Sequence, residues 1–491
     1  MNYKIVLNVL GKTFVLIAGL MLLPMIVGFC YGETDFWGNL VPFLAPVCLL
    51  LAIGLPLSLM KVKDKSMFAR EGFVIVSISW ILMSLVGCLP FIISGEIPNF
   101  FDAFFETVSG FTTTGASILN LSKDTFDMSR GIMFWRIFTH WIGGMGVLVF
   151  VMAVMPLSGS AMHILRAESP GPSASKLVSK IGRTARILYG IYIVLTIIQM
   201  VLLLFSGMEV YDAAVTAFST AGTGGFSIYG DSIAHYNSLY VEMVCAVFMF
   251  LFGINFNLFY LIVIGQFAKA IKSEEFITYV VIVVLATLTI AINLTSTGYT
   301  FWEGLRYAFF QTTSISSTTG VSTTDFSTWP SLSKCILTFL MIIGACGGST
   351  AGGMKVSRGI LLFKTCSNGV KKALHPRAVT TLKLEGEVQS KEIERNANVY
   401  FILWMTIVIC TTLLLSFDSA CGEDVLTPLT ASLTCIGNVG PGMTSLIGPL
   451  GSFADFGWLS KLIMSLVMLA GRLEILPMII LFAPRTWTKG Q

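Results

Sequence analysis

Charged residues are scarce in this 491-residue chain: Asp, Glu, Lys and Arg make up 12% of it, against 55% hydrophobic residues. Soluble domains carry about twice that charge, so an ordinary set of water-soluble domains is excluded. Histidine occurs only at His140, His163, His235 and His375, too dispersed for a metal site. The ten cysteines form no C-x-x-C pair and fall mostly within apolar runs, which makes them packing residues rather than a disulfide or metal framework. H-E-x-x-H, serine–histidine pairing and aspartates at catalytic spacing are all missing, so no enzyme is expected. A phosphate-binding loop is missing too: in the run 344–353, Gly347 and Gly352 are followed by Gly353 instead of lysine, and no strand precedes it. The first apolar stretch, 14–30, follows Lys4 and Lys12 but lacks an Ala-x-Ala-like cleavage site before Glu33 and Asp35, and reads as a retained helix.

What the chain has is apolar runs of membrane-spanning length, such as 187–205, 278–294 and 400–417. Its basic residues are grouped. Lys61, Lys63, Lys65 and Arg70 form one loop; Arg166, Lys176, Lys180, Arg183 and Arg186 a second; Lys269 and Lys272 a third. The longest polar stretch holds Lys364, Lys371, Lys372, Arg377, Lys383, Lys391 and Arg395. The loops between are acidic, with Glu33, Asp35, Glu96, Glu209, Asp231, Asp418, Glu423 and Asp424. Basic loops face the cytoplasm, and ten expected spans then put both termini there as well. The charges mark topology and give no reason to expect nucleic-acid binding.

The chain repeats itself. With Gly115, Gly225 and Gly320 in register, a serine follows two residues later (Ser117, Ser227, Ser322) and another precedes by six (Ser109, Ser219, Ser314). Asp102 and Asp212 both stand 13 residues before their glycine, and Phe105-Glu106 matches Phe310-Gln311. A divergent fourth copy is Asn438-Val439-Gly440-Pro441-Gly442, with Thr434 at the upstream serine position. Each copy contains a segment too short to cross a bilayer (100–109, 211–219, 302–314 and 425–434), which reads as a re-entrant helix. The expected fold is an all-α polytopic membrane protein with four pseudo-symmetric helix–pore loop–helix repeats around one pore, preceded by two extra transmembrane helices at 14–30 and 40–60. The units are 1–70 for the leading helices, then 71–186, 187–272, 273–395 and 396–491. Their outer and inner helices are expected at 72–93 and 131–156, 187–205 and 239–267, 276–294 and 333–363, and 399–417 and 456–482.

Non-helical backbone at membrane depth is tolerated only where protein buries it or it lines a cavity. Glycine permits the dihedrals that turn carbonyls toward an axis, where they can replace an ion's hydration shell. Re-entrant helices aim their negative C-terminal ends at the same place, so the arrangement suits a cation. The candidate ligands are Thr113, Thr114 and Gly115; Thr223, Gly224 and Gly225; Thr318, Thr319 and Gly320; and Asn438, Val439 and Gly440. Thr223-Gly224-Gly225 leaves two registers open for the second central glycine. Glu106 and Gln311 read as hydrogen-bonded props behind the loops. Five glycines in ten residues break the third inner helix at 344–353, as a mobile barrier beneath the loops would require. Lys355 after it fits either a membrane-surface or a pore position. Arg472 falls mid-helix, where a charge needs a cavity or a partner, and Glu474 is a candidate partner. Arg136 and His140, one turn apart, read as a structural pairing near the outer end of their helix.

Thr-Thr-Thr-Gly-Ala at 112–116, Gly-Gly-Phe-Ser at 224–227, Thr-Thr-Gly-Val at 318–321, Asn-Val-Gly-Pro-Gly at 438–442 and Gly-Arg-Leu-Glu at 471–474 resemble the membrane subunits of Trk-type bacterial potassium uptake systems, in the Trk/Ktr/HKT superfamily. The resemblance covers essentially the whole chain, including the two leading helices. It implies K+ as the transported ion, since glycine stands in all four filters, whereas a serine in the first would imply sodium. It also implies an intramembrane gating loop built on Gly344, Gly347, Gly348, Ser349, Thr350, Gly352 and Gly353, with Arg472 beneath the filter. A homodimer in the bacterial inner membrane and a cytosolic TrkA-like nucleotide-binding regulatory subunit, docking on the basic loops, complete what it implies. The alternative is a symporter coupling K+ to H+ or Na+. Such proteins usually show inverted repeats, whereas these units all run the same way, which favours a gated channel-like protein.

Overall fold

In lipid the backbone must satisfy its own hydrogen bonds, and this chain does so almost entirely with helices. The computed structural model describes residues 1–62, 68–119, 126, 128–146, 181–378 and 380–487. Lys63, Lys65, His163, Arg166, Lys176 and Lys180, with residues 147–156 of the expected first inner helix, lie outside them.

The leading helices α1 (Tyr3–Cys30) and α2 (Val41–Leu59) form an antiparallel pair. Small residues bring them together: a Cβ on Gly11 would fall 2.5 Å from the Ser58 backbone nitrogen, and one on Gly54 2.9 Å from Phe14 Cβ. Asn8 donates to the Ser58 carbonyl at 2.8 Å, satisfying the end of α2. Helix α1 begins at Tyr3, well before residue 14, because Asn2 accepts from the Ile5 N–H and caps it. Lys4, Asn8 and Lys12 hid that start by interrupting the apolar run.

After these, the same order recurs. Outer helices are α3 (Ala69–Gly87, continued by α4, Leu89–Ser94), α7 (Ile181–Leu204), α12 (Glu274–Leu294) and α16 (Lys391–Leu415). Short helices are α5 (Phe100–Phe111), α8 (Val210–Gly222), α13 (Phe301–Ser316) and α17 (Leu426–Gly437). At 12 to 16 residues they reach only part way through a bilayer. Asp102 and Asp212 lie in their first turns, Asn99 caps α5, and a Thr300–Glu303 capping box opens α13.

The inner helices differ from the continuous spans expected. In the second unit α9 (Leu239–Phe252) and α10 (Phe256–Val263) meet at a bend of 93°, followed by the short α11 (Phe267–Ile271). The helix breaks at Gly253, where a Cβ would meet the Tyr279 hydroxyl at 2.5 Å. The fourth unit breaks between α18 (Trp458–Arg472) and α19 (Leu476–Phe482), where Glu474 and Ile475 have φ of 62° and 65°. In the first unit α6 (Arg130–Gly144) stops before Gly146, whose φ is 81°. The break expected in the third unit lies between α14 (Ser331–Ile343) and α15 (Val356–Leu374). Among the described residues, six helices are long and apolar enough to cross a membrane unbroken, or seven if the bent pair counts as one span.

One element was not expected. A two-stranded hairpin, β1 (Lys383–Leu384) and β2 (Glu387–Val388), turns on Glu385 and Gly386, whose φ values are 53° and 79°. Two positive φ angles in a two-residue loop define the turn that matches strand twist. Leu382 and Leu384 bury against Leu361 and Ala397 and hold the hairpin to α15 and α16.

Gly11→Ala is expected to destabilise the protein by about 1–3 kcal/mol through overpacking. Gly19→Ala, whose added carbon meets nothing within 4 Å, leaves stability unchanged or slightly raised. Thermal unfolding of the two purified variants, followed by size-exclusion chromatography, checks the contrast.

Candidate functional site

Each short helix ends in the same way. Thr113, Thr223, Thr318 and Asn438 adopt left-handed φ of 55°, 53°, 57° and 53°. The next N–H reaches back five residues: Thr114 to Ser109, Gly224 to Ser219, Thr319 to Ser314 and Val439 to Thr434, at 2.9, 3.0, 2.8 and 3.1 Å. In the first three turns, the left-handed residue also donates to the carbonyl three back, at 3.0–3.1 Å. This is the Schellman closure of a helix C-terminus, with threonine or asparagine where glycine is usual. Two residues on, Gly115, Gly225, Gly320 and Gly440 have φ of 81°, 88°, 81° and 106°. The open register of the second loop is thereby resolved, since Gly225, and not Gly224, carries the positive φ.

The turns close on one another in a ring. A Cβ on Gly115 would fall 2.1 Å from the Gly224 carbonyl oxygen; one on Gly225, 2.2 Å from Thr319; one on Gly320, 2.2 Å from Val439; one on Gly440, 2.8 Å from Thr114. Each glycine thus faces the carbonyl that precedes the next glycine, and the fourth returns to the first. Only residues without Cβ fit there. All four glycines line one cavity of about 40 Å³, enough for more than one water-sized particle. Thr112 and Thr114 share a hydroxyl hydrogen bond of 2.8 Å, as do Ser317 and Thr319 at 2.7 Å. Asn438 Nδ2 donates to Thr114 Oγ1 and to the Met468 carbonyl, at 2.9 and 3.0 Å.

Behind the first turn sits a buried ion pair. Arg136 Nε donates to Glu106 Oε1 at 2.6 Å, with both side chains inaccessible. Glu106 also accepts from Ser117 Oγ and the Ile118 N–H, each at 2.9 Å. Arg136 continues to the Ser227 carbonyl at 3.0 Å and stacks over Phe226, 3.7 Å from its centroid. One guanidinium therefore braces the first and second loops. His140 does not pair with Arg136 as expected. Its Nδ1–H donates to the Gly110 carbonyl at 2.7 Å and its Nε2 accepts from the Phe226 N–H at 3.2 Å, which fixes a neutral ring between two backbones. Glu106 has the expected position as a prop. Gln311, fully buried, has no hydrogen-bond partner among the described residues.

The segment 344–353 lies against the third and fourth turns. The Gly352 N–H donates to Thr318 Oγ1 at 2.6 Å, and the Gly353 N–H to the Gly437 carbonyl at 2.8 Å. Gly347 donates to Glu275 Oε1 at 2.7 Å, Gly348 accepts from the Phe256 N–H at 3.0 Å, and the Ser349 hydroxyl donates to Cys346 at 2.6 Å. Gly344, with φ 68°, ends α14. Arg472 donates to the Thr350 carbonyl at 2.8 Å and to Gly143 at 2.6 Å, with a further bond to Gly144. It is not paired with Glu474, whose carboxylate takes Arg358 instead, because the break after α18 turns residue 474 away. Lys355 is not at a surface: it is buried and donates to the Ala351 carbonyl.

The signal for Glu106 and for the glycines was in the repeat. Arg136–Glu106, Arg358–Glu474 and Lys461–Asp102 (2.6 Å) join residues far apart in sequence and had none.

These features define a class: an all-α polytopic membrane protein in which turns from four part-way helices close a ring of backbone. Comparison with known proteins makes the assignment specific. The family described as Cation transport protein (TrkH) matches residues 43–303 and 274–489, and the chain belongs to that family. It is 33% identical to the Trk system potassium uptake protein TrkH of Salmonella typhimurium, over 99% of this chain and 100% of that one. Its identity to Trk system potassium uptake protein TrkG of Escherichia coli K12 is 30%, covering 99% of both. The crystal structure of the potassium transporter TrkH from Vibrio parahaemolyticus superposes with a TM-score of 0.87 at 32% identity, over 99% of this chain and 100% of that one. The chain is a transport protein and not an enzyme.

Removing one partner of a buried pair leaves an uncompensated charge, so Arg136→Met is expected to cost about 3–5 kcal/mol. The double variant Glu106→Leu/Arg136→Met recovers a large part of that. Thermal denaturation of both in a lipid–detergent mixture tests it, and a double variant no better than the single would reject the pairing as the cause.

Proposed function

We propose that the chain is the membrane subunit of a Trk-type potassium uptake system and passes K+ along the axis of the glycine ring. The observation that carries this reading is the cyclic closure of Gly115 on Gly224, Gly225 on Thr319, Gly320 on Val439 and Gly440 on Thr114. Carbonyl oxygens grouped in this way replace water around an ion. The ends of α5, α8, α13 and α17 add partial negative charge at the same level, which favours a cation and needs no carboxylate. Potassium is the ion because all four ring positions are glycine and because the relatives are named as potassium uptake proteins. The ligands are then the loops 113–115, 223–225, 318–320 and 438–440.

Segment 344–353 is the gate in this reading, with Arg472 as its charged element. Five glycines leave it little intrinsic conformational preference, and its hold on Thr318 and Gly437 sets it under the ring. A guanidinium there opposes the passage of cations, while three carbonyls keep it in place. Inward flow follows the membrane potential, worth about 2.3 kcal/mol per charge per 100 mV. The chain sits in a bacterial inner membrane with both termini and the basic loops in the cytoplasm. There a TrkA-like nucleotide-binding subunit docks, and two copies form a homodimer. The units are 1–70, 71–186, 187–272, 273–395 and 396–491.

Reversal potentials of the protein in planar bilayers, with K+ on one side and Na+ on the other, test the ion. They are expected to favour K+, and equal permeability would reject potassium selectivity. Flux that saturates and depends on a proton or sodium gradient would replace the channel-like reading with symport.

Arg472→Ala is expected to raise K+ flux by about tenfold, the equivalent of about 1.4 kcal/mol of lost barrier. Isotope uptake into proteoliposomes measures this, and unchanged flux from a well-folded variant defeats the assignment of Arg472.

A further inference from the structure

The hairpin is joined to segment 344–353 by a short series of carboxylates. At its turn, exposed Glu385 accepts three hydrogen bonds from the start of α12: Ser273 Oγ at 2.8 Å and the Glu274 and Glu275 N–H groups, each at 3.1 Å. The two N–H groups are donors that a helix N-terminus leaves without intrahelical partners. The link is reciprocal, since the Glu385 N–H donates to Glu274 Oε2 at 3.3 Å. Lys364, on α15, pairs with Glu274 and donates to the Lys383 carbonyl at 2.9 Å.

The next residue turns the other way. Glu275 is buried, and one oxygen, Oε1, accepts from the Gly347 N–H at 2.7 Å and the Ser357 N–H at 3.1 Å. Gly347 lies within the glycine-rich segment, and Ser357 in the first turn of the helix that follows it. A single carboxylate thus ties the segment to the start of α15. It does so from the residue whose own N–H is held by the hairpin.

The cost of this geometry points the same way. Glu385 occupies a left-handed conformation that non-glycine residues avoid, and such positions persist where the surroundings over-determine them. Here the surroundings are Leu382 and Leu384, buried against α15 and α16, and the three donors of α12.

We infer that Glu385 and Glu275 are positioning residues in one line, through which the exposed hairpin sets the conformation of segment 344–353. Drawing the hairpin away from α12, or neutralising Glu385, frees the start of α12 and lets Glu275 release Gly347. The inference rests on the proposed reading of the segment as a gate, with the hairpin on its cytoplasmic side. Its main test reads the segment and not the ion.

Cys346 is a native reporter, being a buried free thiol inside the segment, and Cys88 and Cys245 are buried references elsewhere. N-ethylmaleimide modification of each thiol is measured by peptide mass spectrometry on the full chain in lipid nanodiscs. Glu385→Ala and Glu275→Ala are each expected to speed modification of Cys346 by about tenfold, within the usual range of coupling between sites, with Cys88 and Cys245 unchanged. The double variant is expected to be no faster than the faster single one, as two residues of one line require. Glu385→Gln, which keeps an acceptor oxygen, is expected to give a smaller change. An unchanged Cys346 in Glu385→Ala overturns the inference, as does a rise shared by Cys88 and Cys245 in both Glu385 variants. In bilayers Glu385→Ala raises K+ flux without moving the K+/Na+ reversal potential, and a shifted potential would place its action at the ring and overturn it. If Cys346 responds as expected while no variant passes K+, the coupling stands and the proposed function fails.

Discussion

The arrangement depends on one backbone constraint, the left-handed residue that ends each short helix. A β-branched residue with positive φ is a genuine outlier and costs about 1–3 kcal/mol, yet Thr113, Thr223 and Thr318 all adopt it. The conformation turns the chain sharply enough for the next N–H to reach back to the helix while the following glycine meets the neighbouring loop. Asparagine tolerates the same region more readily, so the fourth turn is the least strained. Its side chain reaches outward, to Thr114 and Met468. Asn438 thereby closes the ring between the last unit and the first.

The fourfold character stops at the backbone. Glu106 and Arg136 form a buried pair behind the first loop, while the matching Gln311 is neutral and has no hydrogen-bond partner among the described residues. The third short helix is fixed from its side by Arg306, bidentate to Glu242 with both contacts at 2.6 Å, and the first is fixed near its start by Lys461 on Asp102. Charges away from water are costly unless paired, so each pair locks two elements with a geometry that neither could leave cheaply. Carbonyls are common to all four units, and what holds them differs from one to the next.

That difference explains what the sequence revealed. The glycines were legible because a local backbone demand maps directly onto residue type, whereas left-handed threonines run against type and showed only in the structure. The serine six positions upstream was legible for a less direct reason. It acts through its main-chain carbonyl in every turn, and only Ser314 also uses its hydroxyl, donating to Val321 at 2.6 Å. Ser109 and Ser219 leave theirs without a partner among the described residues, so small size at a crowded helix end accounts for the pattern. The break in the third inner helix announced itself with five glycines. The break at 473–475 had a fainter mark, Pro477 at the start of α19, and nothing in the sequence pointed to the positive φ of Glu474 and Ile475. The hairpin was missed for a similar reason: four strand residues and a Glu-Gly turn carry little signal inside a polar stretch.

Segment 344–353 and the ring are not separate devices. The Gly352 N–H is bound to the side chain of Thr318, itself one of the strained residues, and the Gly353 N–H to the carbonyl just ahead of Asn438. Arg472 ties the same segment to the end of α6 through Gly143. The segment therefore supports the third and fourth turns directly and touches the first unit through one guanidinium. If it withdraws, two backbone donors, the Thr318 hydroxyl and the Gly437 carbonyl lose their partners at once, and buried groups of that kind do not stay unpaired. Water would have to take their place, so the segment is part of what satisfies the ring's own backbone and side chains.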